Sequence, residues 1–279
     1  MKEYPSRRNL LGLEKEHWKP PVYSRGPGLF NALKLALFRF LDLQSGTIWR
    51  DLKAELPSVQ GTVLDVGCGI QPFRPMFAPT VRYIGLDSAD SKAHFGYEAP
   101  DTLYYSGDVW PVADRTADFI LCTETLEHIP DPAVFLREAF RSLKPGGRLL
   151  LTVPFAVRWH FIPYDYWRYT PSGLDNLLRK AGFDEVGVFA RGNQFTVACY
   201  KVMAFFFSLL FPVSGNFPVR SVLRLLGLLS LPFLFLTAAA ANLTLGIDGT
   251  VDCLGYTVLA RRKGKSGNGK RLRVKRGKP

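Results

Sequence analysis

The stretch Val63 to Ile70, VLDVGCGI, constrains this chain more than any other. Val63, Leu64 and Val66 suit a strand covered on both faces, and Asp65 leads into a Gly-x-Gly turn. Gly67 and Gly69 allow the backbone to turn tightly and to approach a ligand where a Cβ would obstruct it. A lone Gly-x-Gly is weak evidence, so its meaning depends on the strands that come after it.

Pro72 stands where a dinucleotide fingerprint has its third glycine, which disfavours nicotinamide cofactors, and a proline at that point predicts a helix start. VRYIGLD predicts a second strand whose Asp87 lies 22 residues after Asp65, close to the spacing at which a carboxylate accepts hydrogen bonds from ribose hydroxyls. TLYYSGD, ending at Asp108, predicts a third strand, and ADFILCTETLEHI a fourth that runs from apolar into polar residues. Four successive strand ends thus carry polar or glycine residues, at the edge where an open parallel sheet binds ligands.

These residues resemble the class I S-adenosylmethionine-dependent methyltransferases, in particular the methyltransferase type 11 group, over about Gly61 to Ala190 with a last strand near Leu254 to Arg261. The resemblance implies S-adenosylmethionine as cofactor. It puts Asp65, Gly67 and Gly69 at the methionine part, with Thr123 at the end of the fourth strand also lining the cofactor. Asp87 falls at the ribose, and Asp108 with Val109 at the adenine. It also implies a doubly wound, seven-stranded α/β sheet with six parallel strands and an antiparallel last one. S-adenosylmethionine has no pyrophosphate, which agrees with the missing third glycine. Gln71 and Pro72 depart from the small residues often found in this loop.

Helix signals complete the sheet. Asp131 and Pro132 open one helix, and Thr170 and Pro171 open another that ends at Gly182. GRLLLTVP and DEVGVFA supply the fifth and sixth strands. Between the second and third strands, SADSKAHFGYEAP predicts a short helix or a loop, with His94 in solvent. Before the sheet, Gly28 to Leu43 predicts one helix with a wide apolar face, and Ile48 to Leu56 a second. The expected organisation is an N-terminal helical extension (1–60), a cofactor-binding core (61–190), an apolar insertion (191–252), the last strand (253–262) and a basic tail (263–279).

Two stretches carry candidate chemistry. Glu124, Glu127 and His128 end the fourth strand. They resemble groups associated with a divalent cation in quinone-pathway O-methyltransferases, or else they shape the cleft, and no metal is expected at them. The aromatic stretch PFAVRWHFIPYDYWRYT comes after the fifth strand and holds His160, Asp165, Arg168 and Tyr169. In this fold it faces the transferred methyl. An imidazole is suited to take a proton from an acceptor hydroxyl, so His160 is either that base or a structural residue of the loop. The expected catalytic set is His160, His128 and Glu127.

About 60 residues separate the sixth and last strands, where the class I fold has a short hairpin. They include VMAFFFSLLFPV and a run of 23 residues without a charge. The last strand must return to the same sheet, so the insertion crosses a bilayer twice or not at all. The first arm is short for a span and Pro232 interrupts the second, which favours a helical hairpin dipping into one leaflet over a soluble cap.

The net charge of +12 is concentrated at the end of the chain, since Arg261 to Pro279 holds ten Lys or Arg and no acid. That tail is read as disordered and as solubilising, membrane-seeking or nucleic-acid-seeking. Nucleic acid is the least favoured partner, because CTETLEHIP replaces any Asn-Pro-Pro-Tyr signature. The four cysteines lack paired or metal-like spacing and no apolar leader opens the chain. The expected location is therefore cytoplasmic, peripheral on the cytoplasmic face of a membrane, with a small-molecule or lipid-linked acceptor.

Overall fold

The computed structural model describes residues 28–96, 98–212, 216–247 and 252–264. The segment before Gly28 and most of the basic tail lie outside them. Seven strands form one sheet in the order β3-β2-β1-β4-β5-β7-β6. They are β1 (Thr62–Val66), β2 (Arg82–Ser88), β3 (Thr102–Tyr105), β4 (Ala117–Thr123), β5 (Leu143–Pro154), β6 (Glu185–Arg191) and β7 (Gly255–Arg261). β7 runs antiparallel to both β5 and β6, and the pairings among β1 to β5 are parallel. The expected doubly wound sheet is therefore present, with its order reversing between β1 and β4, where such sheets open a crevice for ligands.

Alternation along β1 divides the core. Leu64 and Val66 join Phe135, Leu136, Leu174 and Leu178 on one face. These come from α4 (Pro132–Ser142) and α5 (Pro171–Ala181). Val63 joins Ile48, Leu52 and Leu56 on the other. That second face is covered by α2 (Leu43–Glu55), so residues grouped on sequence grounds with an N-terminal extension shield the sheet itself.

Three expectations about helices are corrected. The apolar run from Gly28 is not one helix to Leu43, because α1 (Leu29–Leu41) stops and Asp42 caps α2. The Asp42 Oδ1 accepts from the N–H groups of Gln44 and Ser45 at 3.1 and 3.2 Å. No α-helix succeeds the glycine loop, where only a 3₁₀ turn at Arg74–Met76 forms. Pro72, Pro75 and Pro79 each remove a backbone donor there. The insertion has three helices rather than two arms: α6 (Gln194–Leu210), α7 (Phe217–Leu229) and α8 (Leu231–Leu243). Between β2 and β3 the crossover is the short α3 (Ala89–Phe95), as the weak patterning suggested.

Candidate active site

The carboxyl ends of β1, β2 and β4 open into a cavity of about 1340 Å³. An ordinary small-molecule site holds about 300 to 1,000 Å³, so there is room for a cofactor and an acceptor together. Gly67, Gly69, Asp87, Asp108 and Thr123 line it. Gly67 and Gly69 take φ of 69° and 51°, the left-handed conformation that glycine tolerates.

Asp87 is the next-to-last residue of β2 and is held from behind. Its Oδ2 accepts from Gly69 N–H at 2.9 Å and its Oδ1 from Ser88 N–H at 2.8 Å. Burial raises its pKa, against those two hydrogen bonds. A carboxylate fixed in this way, on the cavity wall beside a glycine turn, suits the hydroxyls of a ribose.

Three expected site residues do not reach the cavity. Asp65 is 1% exposed and accepts a hydrogen bond from the Tyr83 hydroxyl. It shares the face of Val63, away from Leu64 and Val66, because side chains alternate along a strand. Burial, then the charge of Asp87, outweigh the Tyr83 bond and push its pKa up to about 7. Val109 is exposed, while Trp110 lines the cavity in its place. Trp110 is anchored by its ring against Phe135 and by its backbone N–H, which donates to Glu138 Oε2 at 2.9 Å, and this turns the preceding residue outward. Glu127 is fully buried beneath the cleft, and neither carboxylate oxygen has a hydrogen-bond partner. Burial, reinforced by Glu124, raises its pKa well above the ordinary range and favours the neutral acid.

The two histidines do line the cavity, and the fold brings them together although 32 positions separate them. Their rings lie 5.1 Å apart. His128 Nδ1 is 2.9 Å from the Tyr164 carbonyl, and burial lowers its pKa to about 4. His160 Nδ1 faces Asp165 Oδ2 at 3.0 Å and the Arg158 carbonyl at 3.2 Å. Both neighbours are acceptors, so Nδ1 carries the proton and Nε2 is the basic nitrogen. Asp165 is in turn gripped by Arg168, at 2.6 and 2.7 Å. Burial works to raise the Asp165 pKa, but hydrogen bonds from His160 and Arg168 prevail and keep it well below the usual carboxylate range.

The grouping of Glu124 with Glu127 and His128 is also revised. Glu124 pairs with Arg191, and the residues whose ligand atoms lie within 4.8 Å of one another are Glu127, His128 and His160. Sequence reasoning missed four residues here. His94, expected in solvent, lines the cavity and packs on Phe161 with ring centroids 4.9 Å apart. Trp110, Arg191 and Tyr200 had no motif to mark them.

A family model described as a methyltransferase domain matches residues 42–187. An uncharacterized methyltransferase of Mycobacteroides abscessus is 36% identical over 115 residues, covering 38% of this chain and 44% of that protein. A ubiquinone biosynthesis O-methyltransferase of Cereibacter sphaeroides is 30% identical over 164 residues, covering 49% and 66%. The chain thus spans less than two thirds of the length of these curated relatives. Among solved structures, a possible histamine N-methyltransferase of Thermotoga maritima aligns with a TM-score of 0.48 at 16% identity, over 84% of this chain and 96% of that one. From the family match across 42–187 and the sheet order, the chain belongs to the class I S-adenosylmethionine-dependent methyltransferases.

Proposed function

We propose that this chain methylates an oxygen of an apolar or lipid-linked acceptor, of the polyprenyl-linked glycan or quinone-precursor kind, drawn from a membrane surface. S-adenosylmethionine supplies a methyl carbon already activated by its sulfonium. The protein's task is then to align the acceptor and take its proton. Asp87 would hold the ribose, Gly67, Gly69 and Thr123 would border the methionine end, and Asp108 with Trp110 would border the adenine.

The observation that carries this reading is the His160–Asp165 pair in a cavity that also has an apolar wall. Leu35, Phe38, Trp49 and Tyr200 supply that wall. Asp165, held ionised by Arg168, orients His160 and stabilises it once Nε2 has taken the acceptor's proton. A relative named as an O-methyltransferase of ubiquinone biosynthesis supports the choice of oxygen and of an apolar acceptor.

The test is transfer of label from radiolabelled S-adenosylmethionine into lipid extracts. Label should appear in an organic-soluble product and be lost in His160→Gln with cofactor binding retained. Cofactor binding without transfer to any extract would leave a non-catalytic binding protein, and label in nucleic acid would reverse the acceptor class. A second reading has Glu127, His128 and His160 hold a divalent cation, favoured by their 4.8 Å grouping and by the carboxylate oxygens of Glu127 that lack partners. Loss of activity to a chelator, restored by the metal, would select it.

A further inference from the structure

The three helices between β6 and β7 are apolar on both sides. Their inner side is accounted for: Leu234, Ala238 and Ala241 of α8 pack with Val197, Cys199 and Met203 of α6 and Leu43 of α2. The outer side is uncovered. Phe205, Phe211, Phe217, Leu229, Leu236 and Leu243 are all exposed, Phe217 by 82% and Leu243 by 84%. α1 extends the same surface, since Phe40 stacks on Phe235 of α8 and the Asn242 side chain donates to the Phe40 carbonyl at 3.0 Å. Its outer residues Leu29 and Phe30 are 78% and 79% exposed. So many exposed large apolar side chains on neighbouring helices mark an interaction site.

Charge identifies the partner. No Asp or Glu occurs in residues 29–41 or 192–247, whereas Lys34, Lys201 and Arg224 are exposed there. A second copy docked on this face about a two-fold axis would set cations against cations with no carboxylate to answer them. An anionic headgroup layer above a hydrocarbon interior answers both the apolar and the cationic residues. Dimensions limit the depth. No single helix among the described residues is long and apolar enough to cross a membrane, and the α7–α8 pair is bent by 47°. Beyond Met203, its last buried residue, α6 runs seven residues to Leu210, about 10 Å of helix against a hydrocarbon core of about 30 Å.

We infer that α1, α6, α7 and α8 form a docking face for an anionic phospholipid bilayer, entered from one leaflet without spanning it. The inference deepens the proposed function and rests on its lipid-borne acceptor. α1 and α6 also place Leu35, Phe38 and Tyr200 on the cavity wall, so docking sets the acceptor side of the cavity against the lipid.

The test is flotation of the full chain with vesicles of phosphatidylcholine alone and of phosphatidylcholine with phosphatidylglycerol. The chain should float with the mixed vesicles. The exposed pairs Phe205→Ser with Phe207→Ser, and Lys34→Glu with Arg224→Glu, should each weaken binding about tenfold or more, the second pair in a salt-dependent way. Calorimetry with S-adenosylmethionine checks that each variant is folded. The charge-reversed pair, which changes no apolar packing, decides the matter if the serine pair is not. A full chain that stays at the bottom of the gradient overturns the inference. So does flotation unchanged in the charge-reversed pair, or a lipid-free dimer, seen by light scattering, that the serine pair converts to monomer. Flotation needs no methyl transfer, so a chain that floats but labels no lipid leaves the docking face standing and removes the acceptor.

Discussion

Arg191 Nη2 lies 2.9 Å from Glu124 Oε1, joining the end of β6 to the residue after β4 across the sheet. The arginine side chain is 1% exposed, and it also donates to the carbonyls of Val153 at 3.1 Å and Gln44 at 3.4 Å. Gly255 makes the room, because a Cβ there would meet the guanidinium at 2.3 Å. Glu124 itself is held at φ 45°, a costly conformation for a residue with a side chain. The pair therefore fixes the turn that carries Glu127 and His128. Arg191→Met should cost about 3 kcal/mol in urea unfolding, near the lower end for a broken buried pair because Glu124 keeps some solvent. Adding Glu124→Gln should recover part of the loss, and a second substitution that only adds to the damage would show that the pair is not coupled.

Cofactor affinity should depend on Asp87. A carboxylate that bridges ribose hydroxyls makes charge-assisted bonds of about 1.5 to 3 kcal/mol. Asp87→Ala is therefore expected to weaken S-adenosylmethionine about tenfold or more by calorimetry. Unchanged affinity would mean that the ribose lies elsewhere.

Turnover should depend on His160 and, through it, on Asp165. His160→Gln is expected to lower kcat about 100-fold with little change in cofactor binding. Asp165→Asn should lower kcat less, with KM for the cofactor unchanged, because Asp165 orients the imidazole without touching either reactant. A full rate in His160→Gln together with an inactive His128→Gln would move the base to the other ring.

Asp65 gives stability a pH dependence of known sign. Its folded pKa, about 7, lies above the ordinary 3.8, so its contribution is complete below about 3.8 and is lost as pH rises to about 7. Relative to wild type, Asp65→Asn should gain stability across that window and level off above it, by an amount on the order of a few kcal/mol. Denaturant unfolding at pH 5 and pH 8 checks this, and an equal difference at the two values would rule it out.

The sheet, its switch point and most of the cofactor wall were legible in the sequence because they rest on local patterns. Apolar runs ending in Gly67, Gly69, Asp87 and Asp108 mark strand ends whatever packs around them, and caps such as Asp131 and Thr170 announce helices by adjacent hydrogen bonds. Which way those side chains point was not legible. Asp65 turns away from the cavity because strand alternation places it with Val63, and Trp110 displaces Val109 because Phe135 and Glu138 anchor it. The site's chemistry belongs to contacts between distant positions: His160 beside His128, and Glu124 claimed by Arg191 from 67 residues away. No spacing encodes such pairs, since they exist only once parallel crossovers have brought the strand ends and the loop after β5 to one edge. The apolar composition of residues 192–247 was plain from the start, but only the packing of α6, α7 and α8 separates the residues that hold the helices to the sheet from those left uncovered.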